Sequence, residues 1–145
     1  MRLNVLVRML GAFLCVGAVG EIAIALHPAL LPREATAVPF MAAHQTSWLL
    51  RGWILGSNIV TFVCATTLVR FRRNRPQRWR QLRTATGTLA LIAATGVLVS
   101  LVYLLPLRDG PARTASQLML VSVVSAGLGL ASVCALLFRH ARRHL

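Results

Sequence analysis

The 145-residue chain contains no lysine and only three acidic residues, Glu21, Glu34 and Asp109, against 16 arginines. With 13% charged and 57% hydrophobic residues, too little polar surface remains to wrap a water-soluble globule of this size. A soluble all-helical chain would break its apolar runs every few residues to make a wet face, and these runs are unbroken. Cysteine is scarce as well. Cys15, Cys64 and Cys134 all fall inside apolar stretches without metal-type spacing, so neither a disulfide framework nor a zinc site is expected and the three are assigned to packing. No glycine-rich phosphate loop, paired-carboxylate motif, nucleophile elbow or CxxC occurs. His27 and His44 flank a loop while His140 and His144 lie near the other end of the chain, and no histidine sits mid-helix. Bis-histidine haem and metal binding are therefore not expected, and no cofactor is assigned.

What the chain has is four long apolar stretches, roughly 3–26, 48–69, 84–105 and 114–138. Each is near or above the ~20 residues that span a ~30 Å hydrocarbon core. The mean hydropathy of +0.69 agrees. The expected fold is an all-α integral membrane protein, a single four-transmembrane-helix bundle over residues 1–145, with no repeat or second domain.

The arginines set the expected orientation. Seven lie in 70–83, between the second and third stretches, and Arg139, Arg142 and Arg143 follow the fourth. The positive-inside rule places both segments, and with them both termini, in the cytoplasm of a bacterial-type inner (plasma) membrane. Loop 27–47 then faces outward, where Pro28, Pro32 and Pro39 prevent one continuous helix and 34–37 has room for a short interfacial turn. Arg2 and Arg8 ahead of an apolar run resemble a secretory signal, but its removal would leave an odd number of spans between two segments that demand the same side.

A pI near 12 suggests nucleic acid in a soluble protein. Beside a membrane the same run is a topology signal and a contact for anionic head groups, so membrane lipids and not nucleic acid are the expected partners. The expected contacts are Arg72, Arg73, Arg75, Arg78, Trp79 and Arg80, each basic group contributing about 1 kcal/mol near the surface.

Helices in lipid associate where small side chains let backbones approach. Gly17 and Gly20, Gly52 and Gly56, Gly96 and Ser100, and Ser125 and Gly129 supply such positions on every helix and predict a tight bundle. An ionisable group at membrane depth is costly and usually faces a partner or a cavity. Glu21 lies about 27 Å along the first helix, and Arg51 opens the second at a comparable depth, so an ion pair is one expectation. With His44, Asn58, Tyr103 and Gln117 falling in the same outer half, these groups have the makings of a polar pocket for a lipophilic substrate entering laterally. Glu21 and His44 would be its catalytic groups, and Arg51, Asn58, Tyr103 and Gln117 its substrate contacts.

Several segments together carry a resemblance. Gly17-Ala18-Val19-Gly20, His27-Pro28-Ala29-Leu30 and Pro39-Phe40-Met41-Ala42-Ala43-His44-Gln45 are followed by Leu104-Leu105-Pro106-Leu107-Arg108-Asp109 and Arg113-Thr114. This series resembles the anthrone-oxygenase-like family of small four-helix membrane proteins, although Arg108 stands where that family usually has Asn. The matched positions are Pro28, Met41, Pro106, Arg113 and Thr114. The resemblance implies a cofactor-independent oxygenase or tailoring enzyme acting on a lipophilic aromatic substrate. Two further classes remain open: a non-catalytic membrane subunit, in a homo-oligomer or docking a larger partner, and a small proton-coupled transporter using Glu21. A closed polar cavity at Glu21 favours the enzyme, an exposed Gly52/Gly56 ridge the subunit, and a through-path past Glu21 the transporter.

Overall fold

The computed structural model describes residues 2–27, 47–72, 76–104 and 113–143. Four helices account for nearly all of them: α1 (Arg2–Leu26), α2 (Trp48–Val69), α3 (Pro76–Leu104) and α4 (Arg113–Arg142). All four contain a segment long and apolar enough to cross a membrane, and no strand occurs among the described residues. The expected turn at 34–37, His44 and most of the outer loop 27–47 lie outside the described residues.

α1 and α2 begin and end where the apolar runs do. α2 starts on Ser47, which has an extended backbone and whose Oγ accepts from the Leu50 amide at 3.3 Å, satisfying one of the unpaired donors of the first turn. α3 differs from expectation: it begins at Pro76 and not near residue 84, so Arg78, Trp79, Arg80 and Arg83 lie on helix and not in a loop. Proline is well suited to the first helical position, where its missing amide costs nothing, and Arg and Gln are good helix formers. Trp79 and Leu82 extend the buried stripe of α3 by two steps and bury this overhang. α4 similarly continues past Phe138 to Arg142, carrying Arg139, His140 and Arg142 in its last turn, where basic groups complement the helix dipole.

The buried residues repeat at alternating steps of three and four. On α1 they are Val7, Gly11, Leu14, Ala18 and Ala25; on α3 the stripe is Trp79, Leu82, Thr86, Leu89, Ala93 and Ser100, with Ala85 buried beside it. This is the period of left-handed helix packing. α1 packs along α2 and α3 along α4 as two antiparallel hairpins, joined by a lighter contact between α2 and α3. The antiparallel order follows from the contacts: Gly11 meets Ala65 and Leu68, Gly87 meets Phe138, and Gly127 meets Val97. The start of α1 and the end of α4 therefore share one end of the bundle with Arg70, Arg72, Arg78, Arg80 and Arg83.

The expected small-residue steps are mostly not the ones used. A Cβ added at Gly17, Gly20, Gly52, Gly56 or Gly129 would meet nothing within 4 Å, and of the expected pairs only Gly96 (3.4 Å from Trp53) and Ser100 are packed. The close approach falls on Gly11, where a Cβ would lie 2.8 Å from the Ala65 carbonyl oxygen and the Val69 nitrogen. Spacing of four alone does not say which face of a helix meets its neighbour. Gly11 lies on the α1 stripe, and Gly52 and Gly56 lie off that of α2.

The main core is at the Arg-rich end, where Val7 and Leu14, Ala65 and Leu68, Leu82 and Leu89, and Cys134 and Ala141 bring all four helices together. Thr86 is fully buried there, its hydroxyl donating to the Leu82 carbonyl at 2.7 Å. Cys64 and Cys134 are buried free thiols in this cluster. A smaller cluster of Ala25, Leu50 and Ile54 closes the opposite end. The outward faces are apolar: Phe13 is 76% exposed, Val16 75% and Leu91 69%. Such faces are stable in lipid and not in water, which makes the chain a multi-pass membrane protein.

Candidate functional site

The end of the bundle away from the arginines holds Glu21, Arg51 and Asn58, and the last two each make a local contact of their own. Arg51 is half-buried, and its Nε donates to the Ala25 carbonyl at 2.8 Å, satisfying an acceptor in the last turn of α1 that its own helix leaves unpaired. Asn58, also half-buried, donates from Nδ2 to the Ile54 carbonyl one turn back at 2.9 Å. Ser57 bonds to that same carbonyl at 3.1 Å. Glu21 is exposed although it continues the three-and-four spacing of the α1 stripe. No Glu21–Arg51 ion pair is formed. Gln117 is half-buried near the start of α4, Tyr103 lies in the last turn of α3 with its side chain outside the described set, and His44 lies outside the described residues. Of the predicted pocket, the helices place Arg51 and Asn58 on one face of α2, seven residues apart, and bring neither to Glu21.

Among the described residues, three concavities lie elsewhere. The first, about 380 Å³, is walled by Arg8, Val69, Arg70, Arg72 and Arg78. The second, about 480 Å³, shares Arg70 and Arg78 with the first and continues between α2 and α3 past Val63, Cys64 and Ala85. The third, about 380 Å³, opens further along the same two helices beside Trp53, Gly56, Leu91 and Thr95. None is lined by Glu21, Arg51 or Asn58.

Of the expected head-group residues, Arg72 and Arg80 are exposed and Arg78 is half-buried, while Arg73 and Arg75 lie outside the described residues. Trp79 is different. Only 5% exposed, it stands edge-on to Phe71 (ring centres 5.2 Å apart) and packs against His140 at 5.7 Å. It is a core residue and not an interfacial anchor, because the longer α3 puts it on the buried stripe. Phe71 is 1% exposed, and its carbonyl accepts from Arg8 Nε at 3.2 Å, tying α1 to the segment that follows α2.

The face of α2 turned away from the core carries Leu49, Gly52, Gly56, Ile59 and Val63. All are exposed, and at 100° per residue they lie opposite Leu50, Ile54 and Leu68. The open space before Gly52 and Gly56 leaves this ridge thin enough for another helix backbone.

Sequence reasoning missed Arg8 and Arg70 as members of the basic cavity. The signal was available: in an antiparallel hairpin a residue near the start of the first helix returns to the level of the end of the second. In comparisons with known proteins, no family model matches the chain, and neither does any curated protein or solved structure.

Proposed function

We propose that the chain is a non-catalytic helical subunit of a larger membrane assembly, docking a transmembrane helix of a larger partner protein on the Leu49–Gly52–Gly56–Val63 face of α2. It sits in a bacterial-type inner membrane with its Arg-rich end in the cytoplasm, as the bias of basic residues supports. The observation that carries the reading is the open space in front of Gly52 and Gly56. Glycine inside a helix costs about 1 kcal/mol relative to alanine. Against lipid tails, which are as apolar as any side chain, nothing offsets that cost unless a second backbone approaches. This chain's own close approaches use Gly11, Gly87 and Gly127, which leaves the α2 ridge unused within the subunit. The subunit takes precedence over oxidation of a lipophilic aromatic substrate because Arg51 and Asn58 bond to separate backbone carbonyls, Glu21 is exposed, and none of the three lines a concavity among the described residues.

The test is extraction in native lipid, followed by sizing and mass analysis of what travels with the chain. A distinct membrane protein should co-purify and should be lost with the double substitution Gly52→Leu/Gly56→Leu, while the thermal stability of the chain itself is not lowered. A chain that travels alone, or a partner that survives the substitution, would remove the reading.

A further inference from the structure

Four arginines from three parts of the chain converge on one small cavity. Arg8 comes from the first turns of α1, Arg70 and Arg72 from the segment after α2, and Arg78 from the first turn of α3. Among the described residues no carboxylate pairs with any of them. Arg8 is held by its Nε bond to the Phe71 carbonyl (3.2 Å), and Arg78 by an Nη1 bond to Gln81 Oε1 (3.0 Å). Each bond occupies one nitrogen of a five-donor guanidinium and leaves the rest of the fork available. Four like charges around a space of about 380 Å³ repel one another until an anion enters. Guanidinium forks match the paired oxygens of a phosphate better than any other side chain does.

The cavity continues downward. Arg70 and Arg78 also wall the neighbouring groove, which runs between α2 and α3 from Arg70 to Val63, about 10 Å at 1.5 Å per residue. Its threonines are not polar contacts for a ligand. Thr66 and Thr67 each bond to the Val63 carbonyl (2.8 and 3.1 Å) and Thr84 to the Arg80 carbonyl (3.2 Å), so their hydroxyl hydrogens are taken up within their own helices. Arg80 and Gln81 join Arg70 and Arg78 in its walls, and past them, toward Val63, Cys64 and Ala85, the walls are largely apolar. A basic mouth at the membrane surface above an apolar slot reaching toward the bilayer centre has the polarity and the direction of a lipid.

We propose that Arg8, Arg70, Arg72 and Arg78 form a specific site for an anionic phospholipid, its phosphate held in the arginine cavity and part of one acyl chain lying in the groove between α2 and α3. This goes beyond diffuse attraction of basic residues to an anionic surface, which would not distinguish these arginines from the others at the same end. The lipid lies along the α2–α3 seam, where the contact is lighter than within either hairpin.

The full chain, reconstituted in nanodiscs of mixed phosphatidylglycerol and phosphatidylcholine, is released into the gas phase, and its retained lipids are counted by native mass spectrometry. One phosphatidylglycerol should be kept in preference to phosphatidylcholine. Arg70→Gln/Arg72→Gln, whose side chains make no cross-helix bond among the described residues, should lower that retention at least about tenfold, the loss expected for one charge-assisted pair. Arg142→Ala/Arg143→Ala removes the same charge at the same end and should leave it unchanged. Thr84→Trp, which fills the groove, should also lower it. Melting curves in detergent with inorganic phosphate separate the two sources of a phosphate group. Protection by millimolar phosphate equal to that by phosphatidylglycerol, with no effect of Thr84→Trp, would make the cavity a free-phosphate site and overturn the proposal. Equal losses from the two arginine pairs would reduce it to diffuse charge and also overturn it.

Discussion

Replacing Gly11 by alanine adds a single methyl group at the tightest backbone contact in the bundle. The new Cβ would stand 2.8 Å from the Ala65 oxygen and the Val69 nitrogen and 2.9 Å from Leu68 Cβ. Ordinary carbon contacts begin near 3.5 Å. Two of these neighbours are backbone atoms and cannot rotate away, so α1 and α2 must separate by about half an ångström or more, loosening the contacts of Val7 and Leu14 on either side. Overpacking of this kind costs about 1–3 kcal/mol. The same change at Gly56 meets nothing within 4 Å. The gain in helix propensity and the loss of unfolded-state freedom are common to both substitutions and cancel in the comparison. Gly11→Ala should therefore be less stable than Gly56→Ala by about 1–3 kcal/mol. Unfolding in mixed micelles, monitored by circular dichroism with both variants in one detergent composition, reads this difference directly. Equal stabilities, or Gly56→Ala as the weaker variant, would refute the packing of α1 on α2.

Three further outcomes are expected. Arg51→Ala removes the donor to the Ala25 carbonyl and should cost about 1.5–3 kcal/mol, as for a hydrogen bond from a charged donor, whereas Glu21→Gln should leave the same unfolding curve unmoved because Glu21 is exposed and makes no pair among the described residues. Trp79→Ala should destabilise by about 3–5 kcal/mol, as for a buried aromatic, and quench the tryptophan signal that reports burial at the Arg-rich end; a loss below 1 kcal/mol would return Trp79 to the interface. Gly127→Ala should destabilise because its Cβ would lie 2.5 Å from Val97 Cγ2, and Val97→Ala in the same chain should recover part of the loss in a double-mutant cycle.

Hydropathy alone was enough to find four spans, and the ends of α1 and α2 agree with the apolar runs because Arg2 and Pro28 bound the first while the Ser47 cap and Arg70 bound the second. It failed at Pro76–Arg83 for a physical reason: seven arginines in 70–83 read as a solvated loop, yet Pro76, Gln77 and the arginines are compatible with helix, and Trp79 and Leu82 continue the stripe of α3. The packing faces were hidden for another. Lipid and protein interior are equally apolar, so Phe13 facing outward and Leu14 facing inward carry the same hydropathic signal. Only the three-and-four register through Val7, Gly11, Leu14 and Ala18 separates them. Arg51 and Asn58 were legible as polar groups at depth needing partners, but their partners are backbone carbonyls, which no side-chain pattern announces.

The subunit reading is tested most directly by a photo-crosslinking residue placed at Leu49 and, separately, at Leu136, two exposed positions on different helices, and activated in intact membranes. The account predicts a protein adduct of a distinct partner from Leu49 that disappears with Gly56→Leu, and only lipid adducts from Leu136. Lipid adducts alone from both positions, or an adduct at Leu49 consisting of a second copy of this chain, would contradict it.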